Sequence, residues 1–353
     1  MNAVRLRFAV VGAGVISTRH AEALASFGDR AELVAVVDPD SARATAMAEA
    51  HGAKAFGDLG TAIEATGADV AVVCTPTGLH GESAVQALEA GAHAVIEKPA
   101  DITVERIDRI IEAQRRSGTV VAVVSQHRFD PSTEVVVEAI RAGDLGRLTS
   151  GTAAVDWWRG QSYYDSGTWR GTWEFDGGGA LMNQGVHTVD LLVAAMGRPV
   201  EVVGFTATLA HERLETEDVA VGAVRFASGA LGTIHASTAV YPGLETRLQI
   251  HGDRGSAVIA NDELVFFHRT PAGTERTEVF MGAQGKSPNQ ADEHRRSDGP
   301  PVDALVHQYR DFFTALRGEG RVRVGLEENR QAVAVVTGLY ESARTGRPVR
   351  LDV

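Results

Sequence analysis

Arg5-Leu6-Arg7-Phe8-Ala9-Val10-Val11-Gly12-Ala13-Gly14-Val15-Ile16-Ser17 decides the fold. An apolar, β-branched run breaks into G-x-G-x-x-S, one residue away from the dinucleotide-binding fingerprint. Gly12 permits the tight turn, and Gly14 lets the backbone approach a pyrophosphate at a helix N-terminus. Val15 and Ile16 begin that helix, and Ser17 is small enough for helix–strand packing. Asp38 answers from the end of the next apolar run. A carboxylate there accepts hydrogen bonds from ribose hydroxyls and repels a 2′-phosphate, so NAD is expected in preference to NADP. The plainer reading is that Asp38 caps a helix starting near Ser41.

Outward from this stretch, Glu32–Val37, Val70–Cys74, Ala92–Ile96 and Val120–Val124 continue the valine-rich runs of strands buried on both faces. Amphipathic segments at Ser41–His51, His80–Ala90 and Val104–Arg116 alternate with them, which predicts a doubly wound parallel sheet over residues 1–125. After Ser125 the pattern changes. A helix is expected near Ser132–Ala142, followed by hairpins: Val219–Phe226 with Ala230–Thr238, and Arg247–His251 with Ser256–Ala260. Residues 126–353 therefore read as an α+β domain with a large, mostly antiparallel open sheet. The polar stretch between Gly282 and Pro301 reads as a mobile loop. Helical patterns at Asp303–Arg317 and Leu326–Thr345 close the chain and are expected to pack back on the first domain.

A net charge of −12 argues against nucleic acid or an anionic membrane as partner, since both demand a basic face. One cysteine, Cys74, excludes a disulfide framework and fits a reducing cytoplasm. No run reads as a signal peptide or a membrane span, so a cytoplasmic protein is expected.

Two clusters carry chemistry. Glu97-Lys98-Pro99 follows the Ala92–Ile96 run, at the strand end where open α/β sheets place ligands. Lys98 is one of three lysines, with Lys54 and Lys286, in a chain of 34 basic residues. Its ammonium offers a compact, tunable charge where arginine offers a flat, permanent one. The second cluster is Asp176-Gly177-Gly178-Gly179-Ala180-Leu181-Met182-Asn183-Gln184-Gly185-Val186-His187-Thr188-Val189-Asp190. On a helix, Asn183, His187 and Asp190 share one face at i, i+4 and i+7, and a carboxylate beside an imidazole raises its basicity. His187 thus reads as an acid/base group with Asp190 in support. Trp157, Trp158, Tyr163, Tyr164, Trp169 and Trp173 suit sugar rings or an interface equally. Arg159 and Arg247 offer themselves to a carboxylate or phosphate, or to solvent. No metal site is expected.

Together the Gly12/Gly14 loop, Glu97-Lys98-Pro99 and the Asn183/His187/Asp190 helix resemble the Gfo/Idh/MocA family, down to the closing Tyr340-Glu341-Ser342-Ala343-Arg344-Thr345-Gly346-Arg347. The resemblance implies that Thr75 and Pro76 line the cofactor cleft, with His80 just beyond. It implies that Glu97 binds a ribose, that Lys98 stands near the nicotinamide and the substrate hydroxyl, and that His187 is the acid/base. It brings Trp169 and Arg170 back to the cofactor and Arg128 to the active site. Inositol dehydrogenase-like members carry aspartate where this chain has Asn183. Trp169-Arg170-Gly171-Thr172-Trp173 and Met182–His187 are more similar to the branch containing UDP-N-acetylglucosaminuronate 3-dehydrogenases.

The activity so implied is hydride transfer between NAD and a ring secondary alcohol or ketone of a sugar, sugar nucleotide or cyclitol. Lys98, Arg128, Asn183 and His187 would bind the substrate. A glycoside hydrolase that retains its NAD, and a non-catalytic NAD-sensing regulator, are the alternatives on the same scaffold. A homodimer or homotetramer is expected, because related proteins bury the broad face of the second sheet.

Overall fold

The computed structural model describes residues 5–270, 273 and 303–353. The stretch 282–301, expected as a mobile loop, lies outside them. The chain divides into two compact units. The first comprises Met1–Gln126, Thr172–Gly177 and Val302–Val333; the second comprises His127–Gly171, Gly178–Pro301 and Ala334–Val353. Past Gln126 the chain therefore returns to the first unit twice.

In the first unit the order is β1 (Leu6–Val11), α1 (Val15–Ala25), β2 (Ala31–Val37), α2 (Ser41–His51), β3 (Lys54–Phe56), α3 (Leu59–Thr66) and β4 (Val70–Val73). Then follow α4 (His80–Glu89), β5 (His93–Ile96), α5 (Val104–Ser117) and β6 (Val121–Val123). All six strands are parallel, in the order β3-β2-β1-β4-β5-β6. The strand order reverses between β1 and β4, and open sheets of this kind hold ligands at the carboxyl ends beside that point. Successive side chains enter opposite layers. Phe8, Val10, Val70 and Val72 pack with Tyr309, Phe312 and Phe313, whereas Ala9, Val11 and Ala71 pack with Leu59 and Ala62. The three C-terminal aromatic residues come from α9 (Ala304–Leu316), so this late helix supplies one face of the first core. Each fully buried aromatic contributes roughly 1.5–3 kcal/mol.

In the second unit, α6 (Pro131–Arg141), β7 (Leu148–Asp156) and α7 (Gln161–Asp165) lead to a π-helical turn at Ala180–Gly185 and α8 (Val186–Met196). Then come β8 (Pro199–Ala207), β9 (Val219–Phe226), β10 (Leu231–Ser237), β11 (Thr246–Gly252), β12 (Ser256–Ala260) and β13 (Glu263–His268). The helix α10 (Leu326–Thr345) and β14 (Val349–Arg350) end the chain. The eight strands run β13-β12-β11-β7-β10-β9-β8-β14, with antiparallel neighbours except for the parallel pair β7/β10. Both predicted hairpins are present, as β9/β10 and β11/β12.

Helix α8 packs on β7, where Gly151 leaves room for the Leu192 side chain. Leu339 of α10 fits against Gly204 and Gly222 in the same way. The opposite face of β8, β9 and β10 leaves Val203, Phe205, Val221 and Leu231 exposed, Phe205 by 71%. No helix among the described residues is long and apolar enough to cross a membrane.

Candidate active site

The loop after β1 is shaped by what it must avoid. Gly12 has φ +97°, and a Cβ there would stand 2.7 Å from the Cys74 carbonyl oxygen. Its N–H donates to the Val37 carbonyl at 2.7 Å. A Cβ on Gly14 would meet nothing within 4 Å. No side chain caps α1, although Asp40 and Thr103 cap α2 and α5. Its first N–H groups thus remain available to an anion, with Val15 89% exposed beside them. Ser17 is buried and its hydroxyl donates to the Gly14 carbonyl.

Asp38 immediately follows β2. Its carboxylate accepts from Ala13 N at 2.8 Å and Asp40 N at 2.9 Å, and pairs with Arg43 Nη2 at 3.2 Å. It steadies the glycine loop, while Asp40, not Asp38, caps α2. These features fit a bound dinucleotide.

Thr75 and Pro76 lie just beyond β4, and Glu97 and Lys98 just beyond β5, both at the carboxyl edge. Glu97 is buried between two partners: Oε1 lies 3.0 Å from His20 Nε2, and Oε2 accepts from Lys98 N at 3.0 Å. Burial alone would raise its pKa. The His20 hydrogen bond and the charges of His20 and Lys98 outweigh it and hold the carboxyl below its ordinary value. His20 is therefore a support for Glu97, itself braced by Tyr309 Oη at 2.7 Å.

His80 needs correction. Expected along the cofactor cleft, it is 2% exposed, with Nδ1 2.7 Å from the Pro99 carbonyl and Nε2 2.8 Å from the Thr75 carbonyl. Both ring nitrogens face backbone carbonyls, so the ring sits between the loops after β4 and β5.

In the second unit, Gly178 and Gly179 lack side chains where the Tyr340 hydroxyl and the Glu217 carbonyl approach closest. The Glu217 carboxylate accepts from Gly179 N at 2.9 Å, Leu181 N at 2.8 Å and Tyr340 Oη at 3.0 Å. Burial pushes its pKa up to about 7 against these donors. This anchor was not read from the sequence, because nothing in Thr216-Glu217-Asp218 marks one acid as buried.

The predicted face also needs correction. Asn183 lies in the π-helical turn, ahead of the α-helical His187 and Asp190, so simple i, i+4, i+7 phasing does not apply across it. The turn nevertheless opens Asn183 and His187 together. They are the two partly exposed residues of 178–193, and all the others are buried. Asp190 receives a two-pronged pair from Arg128, through Nε at 2.7 Å and Nη2 at 2.5 Å. Arg128 was expected at the substrate; the pair makes it the clamp on the helix that carries His187.

His187 borders a cavity of about 180 Å³ with His127, Trp157, Gln184, Arg247 and Asp262. His127 stands edge-on to His187, with ring centroids 5.1 Å apart. Burial opposes charge on His127, but Asp130 at 2.8 Å and Asp262 at 3.2 Å raise its pKa to about 10. These three groups have the spacing of metal ligands. A metal would first have to displace a firmly held proton, so they read as an ion-pair cluster.

Trp169 and Arg170 belong to the second unit. Arg170 stacks 4.7 Å from the Trp169 ring and 4.8 Å from Tyr163.

Residues 6–125 match the family described as "Oxidoreductase family, NAD-binding Rossmann fold", and residues 133–258 match "GFO/IDH/MocA C-terminal domain". The chain belongs to the Gfo/Idh/MocA family. Myo-inositol 2-dehydrogenase of Thermotoga maritima is 30% identical over 71% of this chain and 74% of that protein. The WlbA dehydrogenase of Bordetella pertussis, solved with NADH and UDP-GlcNAcA, is 34% identical with a TM-score of 0.85, covering 99% of this chain and 100% of that one. WlbA of Chromobacterium violaceum, solved with the same pair, is 33% identical with a TM-score of 0.88, covering 100% and 98%. As a Gfo/Idh/MocA protein this chain is an oxidoreductase, and its cofactor is NAD.

The Asp38–Arg43 pair yields a prediction about that cofactor. Asp38→Ser removes the charge that repels a 2′-phosphate and frees Arg43 to meet it. The kcat/KM ratio for NADP over NAD should rise by about ten- to a hundred-fold. An unchanged ratio would detach cofactor choice from Asp38.

Proposed function

We propose that the enzyme oxidises, or in reverse reduces, a ring secondary alcohol of a sugar, sugar nucleotide or cyclitol. The single observation that carries this reading is the π-helical turn and the start of α8, where Asn183 and His187 are the two partly exposed residues of 178–193 and Arg128–Asp190 is the clamp. His187 accepts the hydroxyl proton as the C–H bond breaks. Lys98 offers its ammonium to the oxygen as charge develops there. Asn183, without charge or a titratable proton, orients the substrate by hydrogen bonding only. Glu97, whose carboxyl His20 holds below its ordinary pKa, would accept hydrogen bonds from a ribose, and Thr75 and Pro76 would line the cofactor cleft. Asp190 acts through Arg128 by fixing the helix that presents His187. Bound NAD supplies the hydride acceptor.

The reading draws support from the relatives, a myo-inositol 2-dehydrogenase and a dehydrogenase solved in complex with NADH and UDP-GlcNAcA. It is tested by nicotinamide absorbance with UDP-sugars, free sugars and cyclitols. Reduction of NAD by one class fits; reduction by none overturns it.

The exposed row Val203, Phe205, Val221 and Leu231 supports a homodimer or homotetramer formed through the second sheet. Light scattering at micromolar concentration should give a multiple of the chain mass, reduced towards one chain in Phe205→Glu. A wild-type monomer contradicts the assembly.

A further inference from the structure

Arg159 and Arg247 are equal candidates for an anion in the sequence, and their surroundings separate them. Arg247 borders the cavity, but its Nη1 lies 2.5 Å from Glu245 Oε1, so its charge is matched. Arg159 has no carboxylate partner among the described residues. Its guanidinium is half-buried, stacked 5.1 Å from the Trp157 ring and 5.0 Å from Tyr163. Its Nη2 donates to Gln184 Oε1 at 3.2 Å, and its Nε is buried without a partner.

Arg170 repeats the pattern on the same ring. It lies 4.8 Å from the Tyr163 centroid, and its Nη1 reaches the Ser166 hydroxyl at 3.3 Å. Its Nε too is buried without a partner. Two partly desolvated cations thus share one tyrosine with no carboxylate partner among the described residues, in a protein of net charge −12. Aromatic faces repay part of that desolvation, and a matching anion repays the rest.

Arg159 is fixed in place and tied to the π-helical turn that precedes α8. The Arg159 N–H donates to the Thr238 carbonyl at 3.0 Å, and its carbonyl lies 2.6 Å from His211 Nε2. Gln184 bridges Arg159 to Asn183 and also reaches Tyr163 Oη at 3.0 Å. Trp157 and Gln184 border the same cavity as His187.

We infer that Arg159 recognises an oxyanion on the substrate, so the sugar this enzyme takes carries a carboxylate or a phosphate. The inference rests on the dehydrogenase reading for the word substrate, and on the arginine geometry for the charge. Arg159 is a specificity residue and takes no part in proton or hydride movement.

The test uses the NAD-loaded full chain and three anionic probes, a hexuronate, a hexose phosphate and UDP, against myo-inositol and glucose. Binding is read by calorimetry, independently of nicotinamide reduction. At least one anionic probe should bind more tightly than both neutral ones, with affinity falling as salt rises. Which probe wins assigns the carboxylate or the phosphate. Arg159→Met should weaken that probe, and raise KM for the matching substrate, by about ten- to a hundred-fold with kcat little changed. Arg159→Lys keeps the charge but not the planar fork, and should fall between the two. Neutral probes binding as well as anionic ones overturn the inference, as does equal affinity in wild type and Arg159→Met. Lost NAD affinity in Arg159→Met with probe binding intact would give the guanidinium to the cofactor and equally overturn it. Anion binding at Arg159 without reduction by any sugar would retire the dehydrogenase reading and keep the site.

Discussion

His187→Ala lowers turnover by about 10²–10⁴-fold, and Lys98→Met by about 10²–10³-fold, with NAD affinity nearly unchanged in both. These magnitudes follow from what each group supplies. Removing a positioned base leaves the hydroxyl proton to water. Removing the ammonium leaves developing negative charge on oxygen without its cation. Neither change touches the Gly12–Gly14 loop or Asp38, and Glu97 keeps its His20 hydrogen bond when the Lys98 charge is removed. Steady-state kinetics and NAD titration by protein fluorescence separate the two effects. A kcat within threefold of wild type in either variant would remove that residue from the chemistry. A parallel loss of NAD affinity would make it a cofactor ligand instead.

Arg128→Met should be the most damaging substitution outside the reacting groups. Arg128 and Asp190 are nearly buried, at 13% and 3% side-chain exposure, and they meet through two short bonds. Removing the cation deprives a buried carboxylate of its two-pronged partner inside the second unit. Breaking such a pair costs about 3–5 kcal/mol, equivalent to a fall in Tm on the order of 10 °C for a domain of this size. Because Asp190 sits one turn beyond His187, kcat should fall as well, even in the folded fraction. Calorimetric melting and kinetics on the same sample check both. Replacing both partners, as Arg128→Met with Asp190→Leu, should recover stability but not activity. If Arg128→Met melts like wild type, the pair is not the clamp described here. A rise in KM alone would return Arg128 to the substrate.

The sequence disclosed most where local rules act alone. Strands buried on both faces must be apolar throughout, so β1, β2, β4, β5 and β6 announce themselves as valine-rich runs. The hairpins β9/β10 and β11/β12 were legible because their turns are short and glycine-bearing. β3 was not: Lys54-Ala55-Phe56 is three residues on a sheet edge, with no apolar run to mark it. β7 escaped because its outward residues are polar or small and its parallel partner β10 lies 81 residues on.

The site divides similarly. Gly12, Asp38 and His187 are readable because turn geometry or rare chemistry constrains residue type. The His20–Glu97 pair spans 77 residues and Arg128–Asp190 spans 62, and no local pattern foretells such contacts. The π-helical turn under Asn183 has no compositional signature either. Its one hint is the run of glycines that precedes it, which the approach of Tyr340 and Glu217 explains.

Hydride transfer is tested most directly in a single turnover. NAD-loaded enzyme is mixed with hexuronates, UDP-sugars, neutral sugars and cyclitols while nicotinamide absorbance is followed. One substrate class should reduce one NAD per active site, and His187→Ala should abolish the signal while NAD stays bound. No reduction by any class, with NAD bound and a glycosidic bond cleaved instead, would contradict the assignment as a dehydrogenase.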